Sequence, residues 1–133
     1  MNKFRLLILI LAAASIVACA SNDKHQHSGM RTSAQIKVHN DATTDQETIE
    51  IQARNGTAPS MLKWTSDDPS AILKVEFTEA GQPCVVDLMC SGGVCTAASN
   101  VNFRGATSAR CHYRTSVGTA THDPIVIIDN CCP

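Results

Sequence analysis

The sequence predicts a single small all-β domain, an antiparallel β-sandwich over residues 34–133, on three observations. From Ala34 onward the apolar side chains recur with a period of two. Glycine, proline and asparagine fall between the alternating stretches, where turns are needed. No segment of this region sustains the apolar stripe of a helix. Six or seven short strands over residues 34–133 are what two packed antiparallel sheets require.

The chain starts differently. Met1 to Arg5 carries Lys3 and Arg5 and no acid, and Leu6 to Val17 is then twelve residues of which only Ser15 is polar. A spanning helix needs about 20 apolar residues, so this run is too short for a stable transmembrane anchor. A positive start, a short apolar core and small residues behind it predict a secretory signal over residues 1–18. Ser21 to Ser33 follows with Met30 as its one hydrophobic residue and no period, which predicts a flexible solvated tether over residues 19–33.

The join between the two resembles the bacterial lipoprotein signal, the lipobox: an aliphatic residue, a small or β-branched one, a small one, then cysteine. Here these are Ile16, Val17, Ala18 and Cys19. The resemblance implies cleavage between Ala18 and Cys19, a diacylglyceryl group on the Cys19 thiol, and fatty acylation, for example by palmitate, of the freed amine. Two or three acyl chains, each burying its CH₂ groups at ~0.8 kcal/mol, hold a domain firmly where one does not. Ala20 rather than an aspartate follows Cys19. In this family that points to the outer membrane of an organism that has one. A rival cut exists: Ala18-Cys19-Ala20 also fits ordinary signal cleavage, which would discard Cys19 and release a soluble secreted protein.

Either reading removes Cys19 from thiol chemistry and leaves six cysteines to pair: Cys84, Cys90, Cys95, Cys111, Cys131 and Cys132. An even set in an exported domain predicts structural disulfides. No Cys-x-x-Cys pair offers a redox or zinc-finger spacing. Cys90 and Cys95 flank Ser91-Gly92-Gly93-Val94, a loop short enough to bring their Cα atoms to bonding distance. The adjacent Cys131 and Cys132 are expected to join different partners, with a strained vicinal bridge between them as the alternative. The other pairings stay open.

Along the domain, Ala34, Ile36 and Val38 alternate with polar residues, as do Ile49, Ile51 and Ala53 before the turn pair Asn55-Gly56. Ala71, Leu73, Val75 and Phe77 face one way. Cys84 to Met89 is a further strand, and Ala109 to Val117 puts Ala109, Cys111, Tyr113, Thr115 and Val117 on one face. Pro124 to Asp129 is continuously apolar up to its last residue and predicts a central strand buried on both faces. The ending Tyr113 to Asn130 resembles that of small bacterial β-sandwich proteins of immunoglobulin-like or cupredoxin-like shape; the likeness implies the fold and no activity.

Candidate chemistry is sparse. A cupredoxin copper centre needs two imidazoles, a thiolate and an axial ligand such as methionine. His112 follows Cys111 directly and no methionine comes after Met89. His25 and His27, with His39, are a weak metal candidate that reads as polar filler. No metal or other cofactor is implied. No hydrolase motif occurs, and His122-Asp123 and Asp67-Asp68, each before a proline, read as turn chemistry. A small hydrolase around His122 or His112 is the weakest reading. Arg110, His112 and Arg114, with Arg104 nearby, share the face opposite Cys111 and Tyr113 and form a candidate anion-binding face for a lipid phosphate, an acidic glycan or a partner protein's carboxylates. Without Lys3 and Arg5, nine basic residues face twelve acidic ones, which excludes the basic footprint of a nucleic-acid binder. The expected role is therefore that of a membrane-anchored envelope lipoprotein, binding or structural rather than enzymatic.

Overall fold

The computed structural model describes residues 31–55, 58–78, 83–100 and 108–129. The signal, Ala18, Cys19, Ala20, His25, His27, Arg104, Cys131 and Cys132 lie outside them. Eleven strands form in the described part: β1 (Ser33–Val38), β2 (Thr48–Gln52), β3 (Arg54–Asn55), β4 (Ala58–Pro59), β5 (Met61–Ser66), β6 (Leu73–Phe77), β7 (Val85–Ser91), β8 (Val94–Ser99), β9 (Ser108–Val117), β10 (Ala120–His122) and β11 (Ile125–Asp129). No helix among the described residues is long and apolar enough to cross a membrane.

The strands make the sandwich that the alternation predicts. One sheet runs β1-β5-β8-β7; the other runs β10-β9-β11-β2, with β6 also paired to β9. Strands β3 and β4 form a two-stranded antiparallel ribbon with Arg54 opposite Pro59 and Asn55 opposite Ala58, and Gly56 of the expected turn lies outside the described residues. Two pairings depart from a purely antiparallel arrangement: β1 runs parallel to β5, and β11 runs parallel to β2. Each parallel pair joins strands distant in sequence, as the long connection of a parallel pair demands.

Period two places the core. In β1 and β5 the odd and even residues alternate strictly between exposed and buried, and β9 keeps the same alternation from Ser108 to Thr115. Ile36, Leu62, Trp64 and Ala97 of the first sheet meet Ile49, Ile51, Val75, Tyr113, Val126 and Ile128 of the second in one cluster. At its centre Trp64 meets Tyr113 edge-on with ring centroids 5.5 Å apart, and Phe77 stacks on Tyr113 at 5.5 Å.

Strand β11 corrects one expectation. It is central, between β9 and β2, and it buries Val126 and Ile128. Its other face is only half covered at Ile125, Ile127 and Asp129. Ile127 lies between Arg110 of β9 and Glu50 of β2, and stems of such residues can cover an apolar neighbour while their charges stay in water. The second sheet therefore has one wet face, unlike a sheet covered on both sides.

Two disulfides close in this frame. Cys84–Cys111 joins the head of β7 in the first sheet to β9 in the second, with Cα atoms 6.3 Å apart. Cys90–Cys95 spans directly opposed residues of the β7–β8 hairpin, Cα atoms 4.1 Å apart, as the short loop predicts. That hairpin turns at Gly92, whose φ of 55° favours glycine.

Burial also sets a titration. Tyr113, the one tyrosine of the chain, is fully buried, and desolvation pushes its phenol up to about 12, while the nearby Trp64 and Thr44 side chains partly oppose the rise. Trp64 Nε1 and the Tyr113 hydroxyl make no hydrogen bond of ordinary geometry with described residues. The folded value is raised above the unfolded value of about 10. The contribution is thus whole below about pH 10 and is lost as pH rises to about 12, about 3 kcal/mol in all. Tyrosinate absorbance is expected to emerge only as near-ultraviolet dichroism disappears. Titration near pH 10 with the dichroism intact would show the phenol to be solvated.

Candidate functional site

The candidate anion-binding face is built by β9. Its pleat sends Cys111 and Tyr113 into the core and leaves Arg110, His112 and Arg114 on the exposed outer side, as the sequence predicts. Their neighbours decide the electrostatics. Arg114 Nε donates to Asp123 Oδ1 at 3.0 Å, and Glu76 of β6 stands directly opposite Arg114. Arg110 stands opposite Ile127, beyond which lies Glu50. His112 stands opposite Ile125, and its backbone carbonyl accepts the Thr78 N–H. The two guanidinium groups thus share the sheet with three carboxylates, and little net positive charge remains for an anion.

Among the described residues, the candidate histidines His39 and His122 are held by carboxylates far away in sequence. His39 Nδ1 lies 2.6 Å from Asp67 Oδ2, and Lys37 Nζ lies 2.9 Å from Asp67 Oδ1. Hydrogen bonds from Lys37 and then His39 hold the Asp67 carboxyl below the usual aspartate range, and Asp67 in turn raises Lys37. His122 Nε2 lies 2.9 Å from Glu47 Oε2. Asp68, by contrast, does the turn work its sequence suggests: Oδ1 accepts from the backbone N–H and hydroxyl of Ser70, which lowers its carboxyl. The partners of His39 and His122 lie 28 and 75 residues distant, so no local spacing could have revealed them.

Lys37–Asp67 is a surface ion pair in form, and the His39–Asp67 and His122–Glu47 contacts are surface hydrogen bonds. Among the described residues no three His, Cys, Asp or Glu side chains converge on a point where a metal ion could sit. Cys111 is in a disulfide, so it offers no thiolate of the kind a blue-copper centre needs.

The outer face of the first sheet differs in kind, and the strand alternation there hid it. Directly opposed residues share a face, so the register assigns three rows across β1, β5, β8 and β7. Ser33, Met61, Ala98 and Val86 form the first; Gln35, Lys63, Thr96 and Met89 the second; Lys37, Thr65, Val94 and Ser91 the third. Met61, Val86 and Met89 are 48%, 37% and 69% exposed, apolar side chains facing outward. No carboxylate stands in the twelve positions. Asp87 lies at the edge, in a bulge of β7 where its φ is 54°, and Asp67 lies past the far end of β5. The chain matches no protein-family model and no curated protein.

Proposed function

We propose that this chain is a lipoprotein of the bacterial cell envelope, held in the membrane by acyl chains on Cys19, whose β-sandwich has a binding or structural role rather than a catalytic one. The observation that carries the reading is Ile16-Val17-Ala18-Cys19 at the end of the Leu6 to Val17 apolar run. The disulfides add support from an independent direction, since such bridges persist in oxidising compartments outside the cytosol. Arg114 is engaged in a surface ion pair with Asp123, as on an ordinary solvated sheet face. Ala20 after Cys19 favours the outer membrane.

Intact mass spectrometry of the protein from membranes, before and after reduction, tests this in one measurement. A chain beginning at Cys19 with added acyl mass is expected, and the gain on reduction counts the disulfides. In cells, Cys19→Ser is expected to abolish fatty-acid labelling completely. Loss of an anchor of two or three chains also removes at least about tenfold of any correctly processed protein from the membrane fraction. A soluble chain beginning at Ser21 would overturn the anchor and leave a secreted sandwich domain.

A further inference from the structure

The outer face of the first sheet is graded along its strands. The row at the start of β1 and β5 is the most apolar, with Met61, Ala98 and Val86; the next adds Lys63 beside Met89; the third is mostly polar. The start of β1 is also where the chain arrives from Cys19, because Ser33 opens that strand and stands opposite Met61. The apolar end of the sheet is thus the end nearest the anchor in sequence. The second sheet offers nothing comparable, since its outer face carries Glu50, Glu76, Arg110 and Arg114.

We propose that the outer face of the first sheet docks on an anionic lipid surface, Met61, Val86 and Met89 entering the headgroup layer while Lys63 pairs with lipid phosphate. The proposal rests on the lipid-anchor reading of Cys19 and says which face the anchored domain turns to the bilayer. Exposed apolar side chains with a cation among them, and no carboxylate in the register apart from Asp87 in the edge bulge between Val86 and Met89, are the composition of an interfacial surface. Three apolar side chains and one lysine bind weakly by themselves. The anchor changes that. Thirteen residues separate Cys19 from Ser33, and the fourteen steps between them reach at most about 50 Å, so the face meets the bilayer at an effective concentration on the order of millimolar. A contact too weak to recruit a free protein then orients a tethered one.

The test uses acylated protein purified from membranes and reconstituted in vesicles rich in phosphatidylglycerol. Met61 and Met89 report their own exposure through peroxide oxidation, read by mass spectrometry. In the native protein both are expected to oxidise at least about threefold more slowly than in a Lys63→Glu, Val86→Glu variant on the same vesicles. Near-ultraviolet dichroism of Trp64 and Tyr113 checks that the variant is folded, and Lys63→Glu alone carries the test if the pair is not. Equal rates in native and variant protein overturn the proposal. So does protection that persists on neutral phosphatidylcholine vesicles and grows with protein density, which would make the occupant a second copy of the chain. The intact mass of the same preparation judges the anchor separately. If the native protein proves unacylated, the anchor reading falls by itself, and the same oxidation comparison on protein tethered through an N-terminal His tag to nickel-chelating lipid in the same vesicles judges the face, equal rates in native and variant protein overturning it.

Discussion

Replacement of Trp64 by alanine is expected to destabilise the domain by about 3–5 kcal/mol, the range for truncating a large buried aromatic side chain. Trp64 is fully buried and its indole meets both Tyr113 and Phe77, at 5.5 and 6.3 Å between ring centroids. It also sits in the cluster where the two sheets meet, so the cavity would open between the layers. Among the described residues, Tyr113 is the only other aromatic one of the largest fully buried side chains; the rest are branched aliphatics, Thr115 and Pro124. A domain of this size has roughly 5–15 kcal/mol of total stability, so the variant would keep a small margin or none. Trp64→Phe retains a ring and most of the contact, and is expected to cost less than half as much. Urea unfolding followed by far-ultraviolet dichroism measures both, since Trp64 is the only tryptophan and fluorescence would vanish with it. A cost under about 1 kcal/mol for Trp64→Ala would mean that the sheets close over the gap.

The second large effect is expected from the bridge between the sheets. Cys84 and Cys111 are 27 residues apart, and the loop-closure estimate for that separation is about 3–4 kcal/mol; Cys90 and Cys95, separated by 5, give about 2 kcal/mol. The double variant Cys84→Ala, Cys111→Ala is therefore expected to lose more stability than Cys90→Ala, Cys95→Ala. Geometry points the same way. The first bridge ties opposite layers, so its loss frees the layers from each other. The second reinforces two neighbouring strands that are already hydrogen-bonded. Removing both partners of a bridge avoids leaving a stray thiol to exchange with Cys131 or Cys132. Thermal unfolding of the oxidised proteins ranks the two, and a reversed order would mean that the unfolded chain is held together by something other than loop closure.

Where side chains alternated cleanly, strands were legible. The period-two stretches at Ala34 to Val38, Ile49 to Ala53 and Ala109 to Val117 became β1, β2 and β9 with the expected faces inward. Strands β5 and β8 were not legible, for two physical reasons. In β5 the exposed Met61 is apolar and the buried Ser66 is polar, which blurs the alternation. In β8 the inward residues are Cys95, Ala97 and Ser99, small side chains on the strand beside Trp64 that make a weak apolar pattern. The anion-binding face was legible as geometry and illegible as electrostatics. Arg110, His112 and Arg114 follow from the pleat alone, whereas Asp123 and Glu76 reach Arg114 only through the β10 turn and the pairing of β6 with β9.

By itself the sequence determined what depends on neighbours along the chain: the all-β class, the inward face of each clean strand, the Cys90–Cys95 hairpin bridge, and the expectation of a signal ending at Cys19. Only the tertiary structure decided what depends on which strands become neighbours. It set the parallel pairings of β1 with β5 and β11 with β2, the Cys84–Cys111 bridge, the carboxylates beside the histidines, and the gathering of Met61, Val86 and Met89 on one side. The physical reason is that alternation tells each strand which side to bury but not which strand lies beside it. Partner choice comes from packing the two layers together, and that information is spread over the whole domain.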